Sequence, residues 1–145
     1  MEPIEAWVED RLFECTLLTA LVETRVHPVT FPQGKANIPA VIYYRTGTNR
    51  NYTAKKNDGR PTTTIKIVAV SKSYKQAKQL LGIIRPLFDG YYGINADEHA
   101  VSRVTISDEA DDYETPQFGD EKLLYKPFID ISITHKEDVT EYPGT

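Results

Sequence analysis

The chain has 145 residues, 40% of them hydrophobic and 26% charged, with a formal net charge of -4. That is one domain's worth of polypeptide, able to bury roughly 68–70% of its unfolded surface. The apolar fraction excludes wholesale disorder, and the acidic balance argues against a dedicated nucleic-acid coat. A single cysteine, Cys15, excludes an intrachain disulfide and a multi-cysteine zinc site, and it fits a reducing compartment. The acidic start MEPIEAWVEDRLFEC has no signal-peptide character, and no apolar run approaches the roughly 18 residues that a bilayer span requires. The expectation is a soluble protein made in a cytoplasm.

Ile4, Trp7, Val8, Leu12, Cys15, Leu18, Leu21 and Val22 recur at helical spacing and predict one amphipathic helix to about residue 24. Pro3 suits its first turn, and Glu2, Glu5 and Glu9 complement its dipole. Cys15 falls on the apolar stripe, where a small inert hydrophobe is expected rather than a nucleophile. A short strand over residues 26–29 follows, then a corner at Pro32 and Gly34. PAVIYYR, residues 39–45, is apolar on both faces, as an interior strand is. The turn-rich stretch 46–63 reads as a long basic loop, expected to be mobile. It leads into the strand TIKIVAVS at 64–71, so the whole forms an extended hairpin.

Ser73 and Gln76 stand at capping-box spacing before a second helix, with Tyr74, Ala77, Leu80, Leu81, Ile84 and Phe88 as its stripe. A bend is expected at Pro86 and a stop at Gly90. Strands over 100–107 and FIDISIT, 128–134, complete the order α-β-β-β-α-β-β. Ile129, Ile131 and Ile133 alternate with Asp130, Ser132 and Thr134, so one face is buried and one is polar. Strands that follow one another without helices imply a mostly antiparallel (mixed) sheet of about five strands with two packed helices, an α+β fold in one domain over 1–145. Residues 137–145 read as a flexible tail.

No phosphate-binding loop, dinucleotide fingerprint, nucleophile elbow or zinc-protease motif occurs. His27, His99 and His135 lack ligand spacing, and the expectation is no metal and no cofactor. DEADDYE, from position 108, lacks the alternation and central glycine of a calcium loop, so 108–121 reads as a solvated acidic loop. Charge is the more informative layout. Arg45, Arg50, Lys55, Lys56 and Arg60 stand against one acid, Asp58. Asp108, Glu109, Asp111, Asp112, Glu114, Asp120 and Glu121 occur with no base among them. Two loops of opposite sign are candidates to meet, within a subunit or between neighbours, or each is simply solvated. Tyr52 among the cations leaves nucleic-acid contact as a weaker alternative.

The order of RVHPVTFPQG (25–34), IPAVIYYR (38–45), IKIVAVS (65–71), the helix with Ala77, Leu80, Leu81 and Ile84, and the closing alternating strand resembles the tail completion or tail terminator proteins of long-tailed bacteriophages, over about residues 5–136. The resemblance implies a non-enzymatic virion protein, assembled in the host cytoplasm. Its subunits would form a ring of six on the head-proximal end of the tail tube. The implied partners are further copies of itself, the tube protein and the head connector or stopper, with DNA only passing through the lumen and no membrane involved. It carries no catalytic motif, so Arg45, Arg50, Lys55, Lys56, Arg60, Asp108, Glu109, Asp111, Asp112 and Glu114 are interface candidates. Another connector or tube component is the nearest alternative. A small metal-dependent hydrolase or a nucleic-acid-binding module is a more distant one.

Overall fold

The computed structural model describes residues 3–30, 38–52, 59–93, 101–114 and 123–137. The N-terminal apolar repeat makes two helices rather than one, α1 over Ile4–Glu14 and α2 over Thr16–Val22, separated by Cys15 in an extended conformation. Apolar spacing does not require the break, because in an unbroken helix Leu18 would fall about 20° from Trp7 on the same stripe. With the interruption, Ile4, Trp7, Val8 and Leu12 of α1 and Leu18 and Val22 of α2 all enter one core.

The strands are β1 (Val26–Pro28), β2 (Ala40–Asn49) and β3 (Thr62–Val70); after α3 (Tyr74–Phe88) come β4 (Arg103–Ala110), β5 (Tyr113–Glu114), β6 (Leu124–Tyr125) and β7 (Phe128–Thr134). Five of them form one sheet in the order β1-β2-β3-β7-β4, and β5 pairs with β6 in a small separate ribbon. Only β1–β2 is parallel; β2–β3, β3–β7 and β4–β7 are antiparallel. The fold is therefore α+β with a mixed five-stranded sheet. Thr46–Asn49 and Thr62–Thr63 belong to the hairpin strands, not to its loop, because the pairing continues past a bulge between Arg45 and Gly47. Pro32 and Gly34, residues 53–58 of the hairpin, and 138–145 of the expected tail lie outside the described residues.

Strand alternation sends Val41, Tyr43, Ile65, Ile67, Ile129, Ile131 and Ile133 to the face that all three helices cover. The opposite face carries a smaller apolar cluster of Ile42, Val68 and Val70, packed by Ile38, Tyr44, Leu124 and Phe128. The doubly apolar PAVIYYR segment thus has a partner set on each side.

The α3 cap is a relay. Ser73 Oγ accepts from the Gln76 N–H at 3.3 Å, but the Gln76 side chain accepts from Ser71 Oγ at 2.6 Å, and Ser71 Oγ in turn accepts from the Ser73 N–H at 3.1 Å. The helix continues through Pro86 to Phe88, so the proline falls in the last turn, where it costs one bond to the exposed Gly82. Gly90 follows at φ 72°, a left-handed residue just past the helix end.

Two arginines satisfy carbonyls at helix ends that the helices themselves leave without donors. Arg11 donates to Leu87 O of α3 through Nε at 2.9 Å and Nη2 at 2.5 Å, while its guanidinium lies over the rings of Trp7, Phe88 and Tyr91. Arg25 donates to Leu21 O at the end of α2 and to Pro39 O ahead of β2. Val29, just after β1, has φ 66°, and its neighbours close around it: the Thr30 N–H donates to Pro28 O at 2.7 Å. A β-branched residue in that region carries strain of about 1–3 kcal/mol.

Candidate assembly surfaces

The predicted charged residues fall at two places, and each described pair finds its partner locally. On the hairpin, Arg45 reaches Glu5 of α1 at 2.6 Å. Arg50 makes a two-pronged pair with Glu137, at 2.7 and 2.8 Å. That pairing holds the Glu137 carboxyl below its usual range. It also fastens the first residue of the expected tail to the hairpin. Arg60 lies where the chain rejoins β3, and Lys55 and Lys56 lie outside the described residues.

The acidic run is less of a loop than its composition suggests. Asp108 and Glu109 end β4, beyond a bulge between Ile106 and Asp108, and Glu114 is in β5. Glu109 pairs with Arg85 at 2.5 Å and Asp111 with Lys78 at 2.8 Å, so α3 supplies the cations for the run. Tyr74 also donates to Asp111 at 2.7 Å. Together the Lys78 and Tyr74 bonds hold the Asp111 carboxyl below its usual range. Glu114 pairs with Lys126, next to its partner strand β6. Asp108 and Asp112 each accept from the backbone N–H of the following residue. The ion pairs described for the basic and acidic stretches therefore lead to α1, α3, the C-terminal segment and β6, not to one another.

The surface that sequence reasoning missed is on the sheet face away from the helices. Val29, Ile42, Tyr44, Val68 and Phe128 line a groove of about 300 Å³ together with Lys66, Lys126 and Asp112. Val29 is 66% exposed there, and the Lys66 ammonium sits 4.1 Å from the centre of the Phe128 ring. Alternation in β7 signals only a polar face, because Asp130, Ser132 and Thr134 hide the contribution of Phe128. The apolar out-facing residues of PAVIYYR and TIKIVAVS are the signal that could have found it. Beyond the groove on the same face, Asp130 stands across from Lys66 and Asp108. Its Oδ1 is buried without a hydrogen-bond partner among the described residues, and burial pushes its carboxyl above the usual range.

Exposed apolar residues also mark the helix layer: Leu17 is 69% exposed and Phe13 37%. They flank the Cys15 interruption, with Asp10 and Glu14 exposed beside them. No helix among the described residues is long and apolar enough to cross a membrane.

These features define a helix-backed mixed sheet with charged and apolar surfaces on both sides, an α+β fold. The same fold is found in a chain of the virion of a native gene transfer agent (GTA) particle, with a TM-score of 0.59 over 88% of this chain and 91% of that chain, at 11% sequence identity. No protein-family model and no curated protein matches the sequence.

Proposed function

We propose that the chain is a structural virion protein that acts by assembly, forming a ring of six that closes the head-proximal end of a phage tail tube and offers the head connector its docking surface. The observation that carries this reading is the fold match to a virion chain across nearly the full length of both chains. A shared fold is an argument by analogy, and the ordered resemblance of the sequence to tail terminators narrows it to the tail. No catalysis is part of the reading. The net charge of -4 per subunit, multiplied around a ring, disfavours adhesion of DNA passing through the lumen.

In this reading, the hairpin cations Arg45, Arg50, Lys55, Lys56 and Arg60 and the acids Asp108, Glu109, Asp111, Asp112 and Glu114 guide subunits and neighbouring rings together. Arg45, Arg50, Glu109, Asp111 and Glu114 already have partners within the subunit. Reversing Lys55, Lys56 and Arg60 to Glu is expected to impair joining in a salt-sensitive manner while the subunit stays folded.

Electron microscopy of the purified chain mixed with tail tubes and heads tests the function. Closed rings on one end of the tubes are expected. Long helical polymers would instead make it a tube component, and a chain that binds neither tubes nor heads would end the reading.

A further inference from the structure

His135 follows β7 and keeps only 4% of its surface exposed. Both ring nitrogens are engaged. Nδ1 lies 3.0 Å from Lys136 O, and Nε2 lies 2.9 Å from Oγ1 of the fully buried Thr63. A carbonyl only accepts, so Nδ1 carries the ring proton and Nε2 is the acceptor for the Thr63 hydroxyl. We propose that His135 is a proton-sensitive pin at the root of the β2–β3 hairpin: the neutral ring fixes the hairpin to the end of β7, and a second ring proton, gained in mild acid, loosens it. The inference concerns a single subunit and stands apart from the ring reading.

The donors around the ring all point one way. Arg45 Nη1 donates to Thr48 Oγ1 at 3.0 Å, and Thr48 Oγ1 stands 3.4 Å from Thr63 Oγ1. The Thr63 proton is spent on His135, so in that contact Thr48 is the donor. A ring protonated on both nitrogens has no acceptor left. Thr63 must then turn its proton toward Thr48 Oγ1, the longest contact in the row and one that Arg45 already occupies. A buried donor left in poor geometry is costly, and so is a positive charge added out of reach of water. The backbone meets at the same place: the His135 N–H donates to Pro61 O at 3.2 Å and the Glu137 N–H to Gly59 O at 2.8 Å.

The charged neighbours add to that cost more than they offset it. Arg45 comes from β2 with Arg50 just beyond it, Arg60 precedes Pro61, and Lys136 follows the ring. Arg103 of β4 stands opposite Thr134 and so belongs to the other sheet face. Glu5 of α1 is taken by Arg45 at 2.6 Å. Glu137 is the acid that senses the ring, and Arg50 already grips it at 2.7 and 2.8 Å. That grip holds the Glu137 carboxyl below its usual range, so it stays ionised in mild acid and is not the group that responds.

The test follows the full chain by NMR and hydrogen exchange. At about pH 7.5, above the ordinary histidine value of about 6.5, the ring is expected to show a proton on Nδ1 and none on Nε2. On passing to about pH 5.5, the His135 and Glu137 N–H groups are expected to lose about tenfold in protection, corrected for the pH dependence of exchange itself. Leu81 and Ile84 in α3 should keep theirs. The sign follows from linkage: the fold accepts the neutral ring and the unfolded chain accepts both forms, so the pin holds above the histidine range and fails below it. His135→Gln offers an oxygen that does not titrate and is expected to abolish the loss. Thr63→Val removes the stranded hydroxyl and is expected to shrink the loss, which keeps the test decisive should His135→Gln not fold. A proton on Nε2 at neutral pH, a ring that protonates without loss of protection, or an undiminished loss in either variant overturns the pin.

Discussion

The Arg11 guanidinium donates to the Leu87 carbonyl and so ties the last turn of α1 to the last turn of α3. The cation sits at the negative end of the helix, supplies a donor to a carbonyl that has none within α3, and lies 4.7 Å from the Tyr91 ring centre. Arg11→Ala is expected to cost about 2–4 kcal/mol, from a charged hydrogen bond and stacked rings together. Arg11→Lys recovers only part, because the ammonium lacks the planar fork. Urea denaturation measures it, and a loss of under about 1 kcal/mol would show the contact to be incidental.

A second cross-layer bond gives an alkaline signature. The Tyr43 hydroxyl, on a side chain 3% exposed, donates to Glu9 of α1. Burial first, and then the Glu9 bond, push the phenol well above its ordinary range. A group raised in the folded state contributes stability that is whole below its unfolded value of about 10 and declines as pH rises beyond it. Stability is therefore expected to fall above about pH 10, and Tyr43→Phe should flatten that fall while costing about 1–2 kcal/mol at neutral pH. Melting curves across alkaline pH read both effects. An unchanged slope in the variant would remove Tyr43 as the cause.

Asp130 works in the same sense, but at acid pH. Its carboxyl is raised by burial, opposed by Lys66 and reinforced by Asp108. Its favourable contribution is thus present below the unfolded value of about 3.9 and declines as pH rises through the folded value. Asp130→Asn is expected to raise the melting temperature at pH 7 by a few degrees and to leave it unchanged near pH 3, where both side chains are neutral. An equal gain at both pH values would point to packing rather than charge.

Relief of backbone strain should be visible at Val29. Its left-handed conformation costs about 1–3 kcal/mol, and glycine there adds about 0.5–1 kcal/mol of chain entropy. Val29→Gly is therefore expected to stabilise the isolated subunit by about 1 kcal/mol. Destabilisation by the same amount would show that the side chain packs more than its 66% exposure suggests.

Periodicity alone made most of this fold legible. The alternation of Ile129, Ile131 and Ile133 set β7, and the Tyr74-to-Phe88 stripe set α3. The division at Cys15 was not legible, because Leu18 and Val22 continue the stripe of Ile4, Trp7, Val8 and Leu12 at ordinary helical spacing. β5 and β6 were hidden inside a stretch whose acids suggested a solvated loop, yet Glu114 and Tyr113 pair with Leu124 and Tyr125. Charge counting found the acidic and basic stretches but not their partners. Lys78 and Arg85 belong to a helix read for its apolar stripe, and Glu5 and Glu137 are distant in sequence from Arg45 and Arg50. The groove depends on three strands and the turn at Val29, so no local pattern announces it.

The far strand β4 has one more implication. Its outer margin is already hooked near the start by the Val104 N–H donating to Tyr91 O, and further along it is bent by the bulge at Ile106 and studded with Asp108 and Glu109. A margin so kinked and so negative resists being zipped to a foreign strand. Copies of this chain are thereby hindered from stitching their sheets into one continuous ribbon along that side, a built-in safeguard against fibrous aggregates in a crowded cell.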